Sequence, residues 1–324
     1  MGNFFTQLLE YKRRKDETPS DQQIAPKGKQ SRRWKMMNST FEWKCALALF
    51  IFLSLFVVNA YAEEPAKSPD EAVRVPIIMY HLVTENGKYI GKYGIRPSEL
   101  KSDLEYLRDN GYTTIVMQDL INFVESGKSL PEKPVVLTFD DGNSSDHKYL
   151  LPLLQEFNMK AVASILGKTT DKITKEQTET PNAKYPNLTW GQVIELHKSG
   201  LVEIQSHSFD LHGKAGSGKL NRESSEEYHQ RLKADLQKLQ DQCQEHIGIK
   251  PTTFCYPLGV ISKGSQAVLE ELGFVASLSC QERMNFIRQG DKEGLFKLNR
   301  VNRASGRTIG SILEKLEKEV QKEA

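Results

Sequence analysis

Residues 134–142 read PVVLTFDDG, and the reading of this stretch decides the fold. A short apolar run rich in valine ends in two adjacent aspartates, Asp140 and Asp141, followed by Gly142. The run is too short for a helix, so it reads as a buried strand. Two carboxylates at the end of a buried strand are costly unless something pairs with them. Successive strand side chains point to opposite faces, so both can serve one site only if the chain turns there. Gly142 permits such a turn. Taken alone, the simpler reading has one Asp capping a helix and the other solvated.

Similar runs recur on both sides of this stretch. VPIIMY (75–80), TTIVM (113–117), AVASIL (161–166), VEIQS (202–206), TTFCY (252–256), FVASL (274–278) and FKLNRV (296–301) all have strand character. Helical patterns lie between them. RPSELKSDLEYLRDNG places Leu100, Leu104 and Leu107 on one face, with Ser98 as N-cap and Gly111 as the stop. LTWGQVIELHKSG behaves alike, and SSEEYHQRLKADLQKLQDQCQEHIG opens on a capping box of Ser224 and Glu227. About eight strands alternating with helices over this length predict an α/β fold, a (β/α) barrel rather than an open sheet. In such barrels the working residues sit at the C-terminal ends of the strands. Two polar stretches, 168–187 and 213–225, read as surface insertions, and 306–324 as a terminal amphipathic helix.

The chain of 324 residues has a net charge of +2, unevenly spread. Residues 1–62 carry ten Lys/Arg and five Asp/Glu, and the rest is net acidic, which argues against a nucleic-acid partner. Residues 1–44 are basic and without apolar periodicity, so a disordered cytoplasmic tail is expected. Cys45–Ala62 then runs for 18 residues without a charge. It reads as a signal peptide, ending in Ala60-Tyr61-Ala62, or as a retained membrane anchor with the N-terminus in the cytoplasm. Translation from Met36 or Met37 would give an ordinary signal peptide. Residues 63–74 form a linker, 75–305 the main domain. A secreted or cell-surface monomer is the expectation, touching a membrane through 45–62 if that segment is uncleaved. The four cysteines form no disulfide framework, and buried thiols are expected.

The other strand ends hold the remaining polar residues. VEIQSHSFDLHG places His207 and His212 after one strand, at a loop spacing of five. Two imidazoles and one carboxylate are a common ligand set for catalytic Zn²⁺. TTFCYPLG supplies a sharp turn at Pro257–Gly259 whose amides could face outward. His81 closes VPIIMY, far from every other histidine. His147 reads as a helix-start residue and His197, His229 and His246 as solvated on charged helical faces, while Arg300 and Arg303, near the end of the last strand, are ambiguous.

LTFDDG, SHSFDLH and FCYPLG resemble, in order, three motifs of the polysaccharide deacetylases, the NodB-homology carbohydrate esterase family 4. The resemblance covers roughly residues 75–305 and implies a distorted (β/α) barrel of seven to eight strands. It implies Asp140 as general base and Asp141, His207 and His212 as ligands of a divalent metal, Zn²⁺ first. Leu258 would offer its backbone N–H to an oxyanion. Cys255 stands where many members have an Arg that holds the base, a place that Arg300 or Arg303 could fill, and no histidine follows His246 to act as general acid. One branch, resembling poly-β-1,6-N-acetylglucosamine deacetylases, is circularly permuted and carries that acid in an early MYH-like strand end. The resemblance to that branch implies His81 as the acid.

The implied activity is N-deacetylation of an extracellular N-acetylglucosamine polymer, with O-deacetylation or a metal-free carbohydrate-binding pseudoenzyme as alternatives. The partner would be the N-acetylated polysaccharide. Phe209, Tyr256 and Trp190 are the aromatic candidates for a sugar platform, though core packing is the simpler reading of each.

Overall fold

The computed structural model describes residues 72–176 and 187–323. The expected tail, apolar segment and most of the linker lie outside the described residues. Among the described residues no helix is long and apolar enough to cross a membrane.

The elements run in the order β1 (Val73–Val75), β2 (Ile77–Tyr80), β3 (Leu82–Val83), β4 (Gly94–Ile95), α1 (Pro97–Asp109), β5 (Thr113–Ile115), α2 (Met117–Ser126) and β6 (Pro134–Asp141). They continue through α3 (Leu151–Phe157), β7 (Ala161–Ile165), α4 (Gly167–Glu176), α5 (Trp190–Lys198), β8 (Val202–Ser206), α6 (Ser225–Ile247), β9 (Thr253–Cys255) and α7 (Ser265–Glu271). The last are β10 (Ala276–Leu278), β11 (Asn285–Ile287), β12 (Val301–Asn302) and α8 (Ile309–Glu323).

The main sheet is parallel, in the order β10-β9-β8-β7-β6-β2-β12, with β5 pairing with the opening residues of β6. Helices cover its outer face, giving a half-barrel of the expected α/β type. Leu298 makes an isolated bridge to Leu278 of β10, so the segment 298–302 touches both edges of the sheet. That is the distortion: the last expected strand, 296–301, is reduced to one bridge and two paired residues. The first expected strand is also divided. Pro76 has no N–H to give a ladder, so Val73–Val75 pairs antiparallel with β11 while Ile77–Tyr80 enters the parallel sheet.

Alternation along the strands separates two apolar layers. Ile78, Tyr80, Leu137, Phe139 and Ile204 pack outward against Leu100, Leu104 and Leu107 of α1 and against α3, α5 and α6. Ile309, Ile312 and Leu313 of α8 join the same layer. The alternate positions Ile77, Val136 and Val162 pack into a second cluster on the inner face. This register puts Met79 and His81 on the face of Ile77, and Thr138 and Asp140 on the face of Val136. Between β8 and β9 the ladder thins to one pair, Ser206 with Phe254. There Gln205 substitutes, its side-chain oxygen accepting from Thr252 N–H at 2.9 Å and Thr253 N–H at 2.8 Å.

Two local expectations are corrected. Arg96, not Ser98, precedes the first turn of α1, with Pro97 as the opening residue and Glu99 accepting the Arg96 N–H. Pro suits the first helical position because the missing N–H would be unpaired there anyway. The polar stretch from Lys168 is not an irregular insertion throughout: α4 spans Gly167–Glu176. It lacks an apolar stripe because polar bonds hold it, Thr174 accepting the Trp190 N–H and Asp171 accepting from Trp190 Nε1 and Gln242. The Ser224–Glu227 capping box of α6 forms as expected.

Candidate active site

The carboxylates of β6 meet through a backbone device in Asp141 itself. Asp140 points to the inner face by register, so Asp141 should point away. It does not, because its φ is +74°, in the left-handed region. A non-glycine residue there costs about 1–2 kcal/mol, a cost found mainly where function over-determines the backbone. Gly142 follows at φ +61°, and a Cβ on it would stand 3.2 Å from Ile165. The two residues together swing the second carboxylate back into the site.

Asp141 Oδ1 lies 3.1 Å from His212 Nε2 and 3.4 Å from His207 Nε2. Burial would raise the Asp141 carboxyl, but the two imidazoles hold it far below the usual range. The same carboxylate raises His212 above its ordinary value. His207 is buried, and its Nδ1 lies 2.9 Å from the Cys255 carbonyl oxygen. That carbonyl accepts, so Nδ1 carries a proton and Nε2 is the nitrogen turned toward Asp141. Asp141 Oδ1 is buried yet makes no hydrogen bond. Donor atoms around a tetrahedral ion with bonds of about 2.0–2.1 Å sit about 3.3 Å apart, close to these separations. Two imidazoles and a carboxylate facing one point therefore fit a divalent metal of the Zn²⁺ class.

Asp140 is 2% exposed and Arg300 is fully buried, with Nη1 donating to Asp140 Oδ1 at 2.8 Å. Burial pushes the Asp140 carboxyl up, but the guanidinium, with His207 and His81, brings it down to about 2. Burial raises the Cys255 thiol well above its usual value, so Sγ stays protonated and donates to Asp140 at 3.4 Å. Arg300 thus occupies the role left open at position 255. It is fixed in turn by Ser279 O at 2.8 Å and Thr138 Oγ1 at 3.2 Å. Arg303 goes elsewhere: it pairs with Asp103 at 2.8 Å, beside Tyr80 Oη, and ties the chain before α8 to α1.

His81, Leu258, Asp140, Asp141, His207 and His212 line one cleft of about 370 Å³ at the C-terminal strand ends. The buried Nδ1 of His81 has no hydrogen-bond partner. Burial pushes its imidazole below the ordinary value, against the opposing pull of Asp140 and Asp141. Leu258 is 55% exposed at the rim, with φ +58°. Its turn is closed by Gly259 N–H to Tyr256 O and Val260 N–H to Pro257 O, and neither bond engages the Leu258 amide. A cleft of about 480 Å³ at the opposite strand ends, lined by Arg108, Tyr112 and Lys160 among others, carries no histidine or cysteine.

The expected sugar platforms lie elsewhere. Tyr256 is fully buried, hydrogen-bonded to Ser265 and edge-on to Phe254. Since Cys255 faces Asp140, alternation sends Tyr256 to the opposite side of β9. Trp190 is 3% exposed and stacks on His246 at 4.2 Å. Phe209 is half-buried outside the cleft, under Lys238, whose Nζ lies 3.7 Å from the ring centre. The aromatic in the cleft is Tyr93, 44% exposed and 4.8 Å from the His81 ring. The glycine-rich stretch YIGKYG, following His81 closely, was the available signal for it. His147 pairs with Glu195 and His229 with Glu271, away from the site. Cys243, Cys255 and Cys280 are free thiols.

Comparison with known proteins agrees with this geometry. Residues 127–277 match the polysaccharide deacetylase family model. A de-N-acetylase from Aggregatibacter actinomycetemcomitans superimposes with a TM-score of 0.64 at 30% identity, over 75% of this chain and 99% of that one. IcaB from Ammonifex degensii shares the fold, with a TM-score of 0.60 at 23% identity, over 76% and 97%. The poly-β-1,6-N-acetyl-D-glucosamine N-deacetylase of Escherichia coli K12 is 30% identical over 218 residues, 61% of this chain. This chain spans about a third of that relative's length, 32%. With its strand-end motifs, its half-barrel and these likenesses, the chain belongs to the polysaccharide deacetylase family.

Proposed function

We propose that the chain hydrolyses the N-acetyl amide of an extracellular N-acetylglucosamine polymer, releasing acetate, with a divalent metal held by Asp141, His207 and His212. The observation that carries the reading is convergence. A three-donor ligand set, an ionised carboxylate and an unpaired histidine share one cleft at the strand ends. Likeness to the E. coli enzyme favours poly-β-1,6-N-acetylglucosamine over peptidoglycan as the polymer. The uncharged run 45–62 behind a basic segment supports export, leaving the domain outside the cell.

When bound, such an ion lowers the pKa of its water to about 7 and polarises a carbonyl oxygen. The chain's own residues supply the rest. Asp140 enters as a carboxylate and takes the proton of the attacking water. Arg300 guarantees its charge and direction while weakening it as a base, since a carboxyl near 2 accepts protons reluctantly. The Leu258 amide donates to the oxygen that becomes negative, a contact typically worth about 3 kcal/mol. His81 gives its proton to the departing sugar nitrogen; burial makes its imidazolium a stronger acid but a scarcer form at neutral pH.

Acetate release from β-1,6-linked N-acetylglucosamine oligomers, purified peptidoglycan and acetylated xylan, each with and without chelator, tests this reading. Chelator-sensitive release from the oligomers is expected. Release from acetylated xylan alone would make the chain an O-acetyl esterase, and release untouched by chelator would remove the metal.

A further inference from the structure

We propose that Asp235, on α6, is a positioning residue that holds the loop bearing His207 and His212 in ligand geometry and thereby sets the metal affinity of the site. This rests on the metal reading above. The loop between the two histidines is not a relaxed one. Ser208, immediately after His207, is fully buried at φ +89°, a conformation a non-glycine residue avoids unless its surroundings impose it. The surroundings are polar and specific. Asp235 accepts the Phe209 N–H at 2.8 Å on one carboxylate oxygen and the Asp210 N–H at 2.9 Å on the other. From the other side, the first residues of α4 bind the carbonyls, Gly167 N–H to Ser208 O at 3.2 Å and Lys168 N–H to Phe209 O at 3.0 Å. Ser206 Oγ and Ser208 Oγ take the amides of Ser208 and Leu211.

Two elements thus grip the loop from opposite sides, and Asp235 is the charged half of the grip. Phe209 completes it: a Cβ on Gly167 would stand 2.8 Å from its ring, and Lys238 covers it from α6. The ring is a wedge between α4 and α6, which explains an aromatic here that faces no substrate. Hydrogen bonds to the backbone that carries metal ligands fix where the ring nitrogens point. Loss of such outer partners typically weakens metal binding by about 10- to 100-fold.

The test is zinc titration of the metal-stripped full chain in competition with a chelating dye, with thermal unfolding of the metal-free protein recorded alongside. Asp235→Ala should bind zinc about 10- to 100-fold more weakly than wild type. Asp235→Asn, whose amide oxygen can still accept one N–H, should lose less, and it carries the test if the alanine variant fails to fold. Asp241→Asn, exposed on the same helix, should bind as wild type does. Wild-type affinity in the Asp235 variants, with a lower metal-free melting temperature, would make Asp235 purely structural and overturn the proposal. His207→Ala separates the two readings. If it binds zinc like wild type, the ligand assignment fails and the proposal with it; if it loses zinc while the Asp235 variants keep it, positioning alone is refuted.

Discussion

Replacing Arg300 by methionine removes the guanidinium facing Asp140 while keeping an unbranched apolar stem in its place. The separation is 2.8 Å with both side chains buried, 0% and 2% exposed. At an effective dielectric of about 20 the attraction is about 6 kcal/mol. Desolvation offsets much of this when the pair forms, so the pair itself adds little over an apolar one. Breaking it from one side, however, leaves a buried charge uncompensated, at about 3–5 kcal/mol. The Ser279 carbonyl and Thr138 hydroxyl also lose a partner, but equally in any variant lacking Arg300. A double-mutant cycle with Asp140→Asn cancels that shared loss. Urea unfolding in chelator, so that no metal contributes, should show each single variant destabilised by about 3–5 kcal/mol. The double variant should cost at least about 2 kcal/mol less than the sum. Additivity within about 0.5 kcal/mol would refute a coupled pair and leave Asp140 without the support assigned to it.

His81→Ala should bind zinc with wild-type affinity and lose about 10²- to 10⁴-fold in turnover; unchanged turnover would remove His81 from the reaction. Leu258→Gly keeps the backbone amide and relieves a left-handed leucine, so it should hold activity within a few-fold and gain up to about 1 kcal/mol of stability. A hundredfold loss there would mean that the side chain, not the amide, matters. Burial raises the Asp146 carboxyl well above its usual value, only partly opposed by its bond to Ser145. Its contribution to stability is full below the unfolded carboxyl value and is lost as pH rises through the folded one. Asp146→Asn should therefore melt at a higher temperature than wild type at neutral pH, with the gap closing below about pH 4. A gap independent of pH would show that the carboxyl is not held neutral.

The parts of the site written in local sequence were legible, and the parts written in tertiary pairing were not. Asp140 and Asp141 stand out because two carboxylates after an apolar strand violate burial rules, and the paired histidines stand out after β8, two strands on. Arg300 and Arg303 flank the two residues of β12, and nothing local tells which will face Asp140 and which Asp103. Tyr256 misled because a motif aromatic suggests a platform. Once Cys255 is taken to face inward, alternation alone sends Tyr256 to the core. The turn that joins the two aspartates was expected at Gly142 and begins one residue earlier, where a side chain's preference is overruled by the contacts it makes. Helix α4 was unreadable because hydrogen bonds from Thr174 and Asp171 replace the apolar stripe that marks most helices.

The pairing of β2 with β12, Ile78 against Val301 and Met79 against Asn302, joins residues far apart along the chain. His81 follows one of these strands and Arg300 precedes the other, so the site straddles the seam where the two ends of the domain meet. Contacts of such long sequence separation form late, because a large loop must close before they repay it. A growing chain on the ribosome therefore has an unsupported Asp140 until its last strand has emerged and docked. In refolding, hydrolytic activity should lag behind the recovery of helical signal, which makes catalysis a reporter of the final closing step.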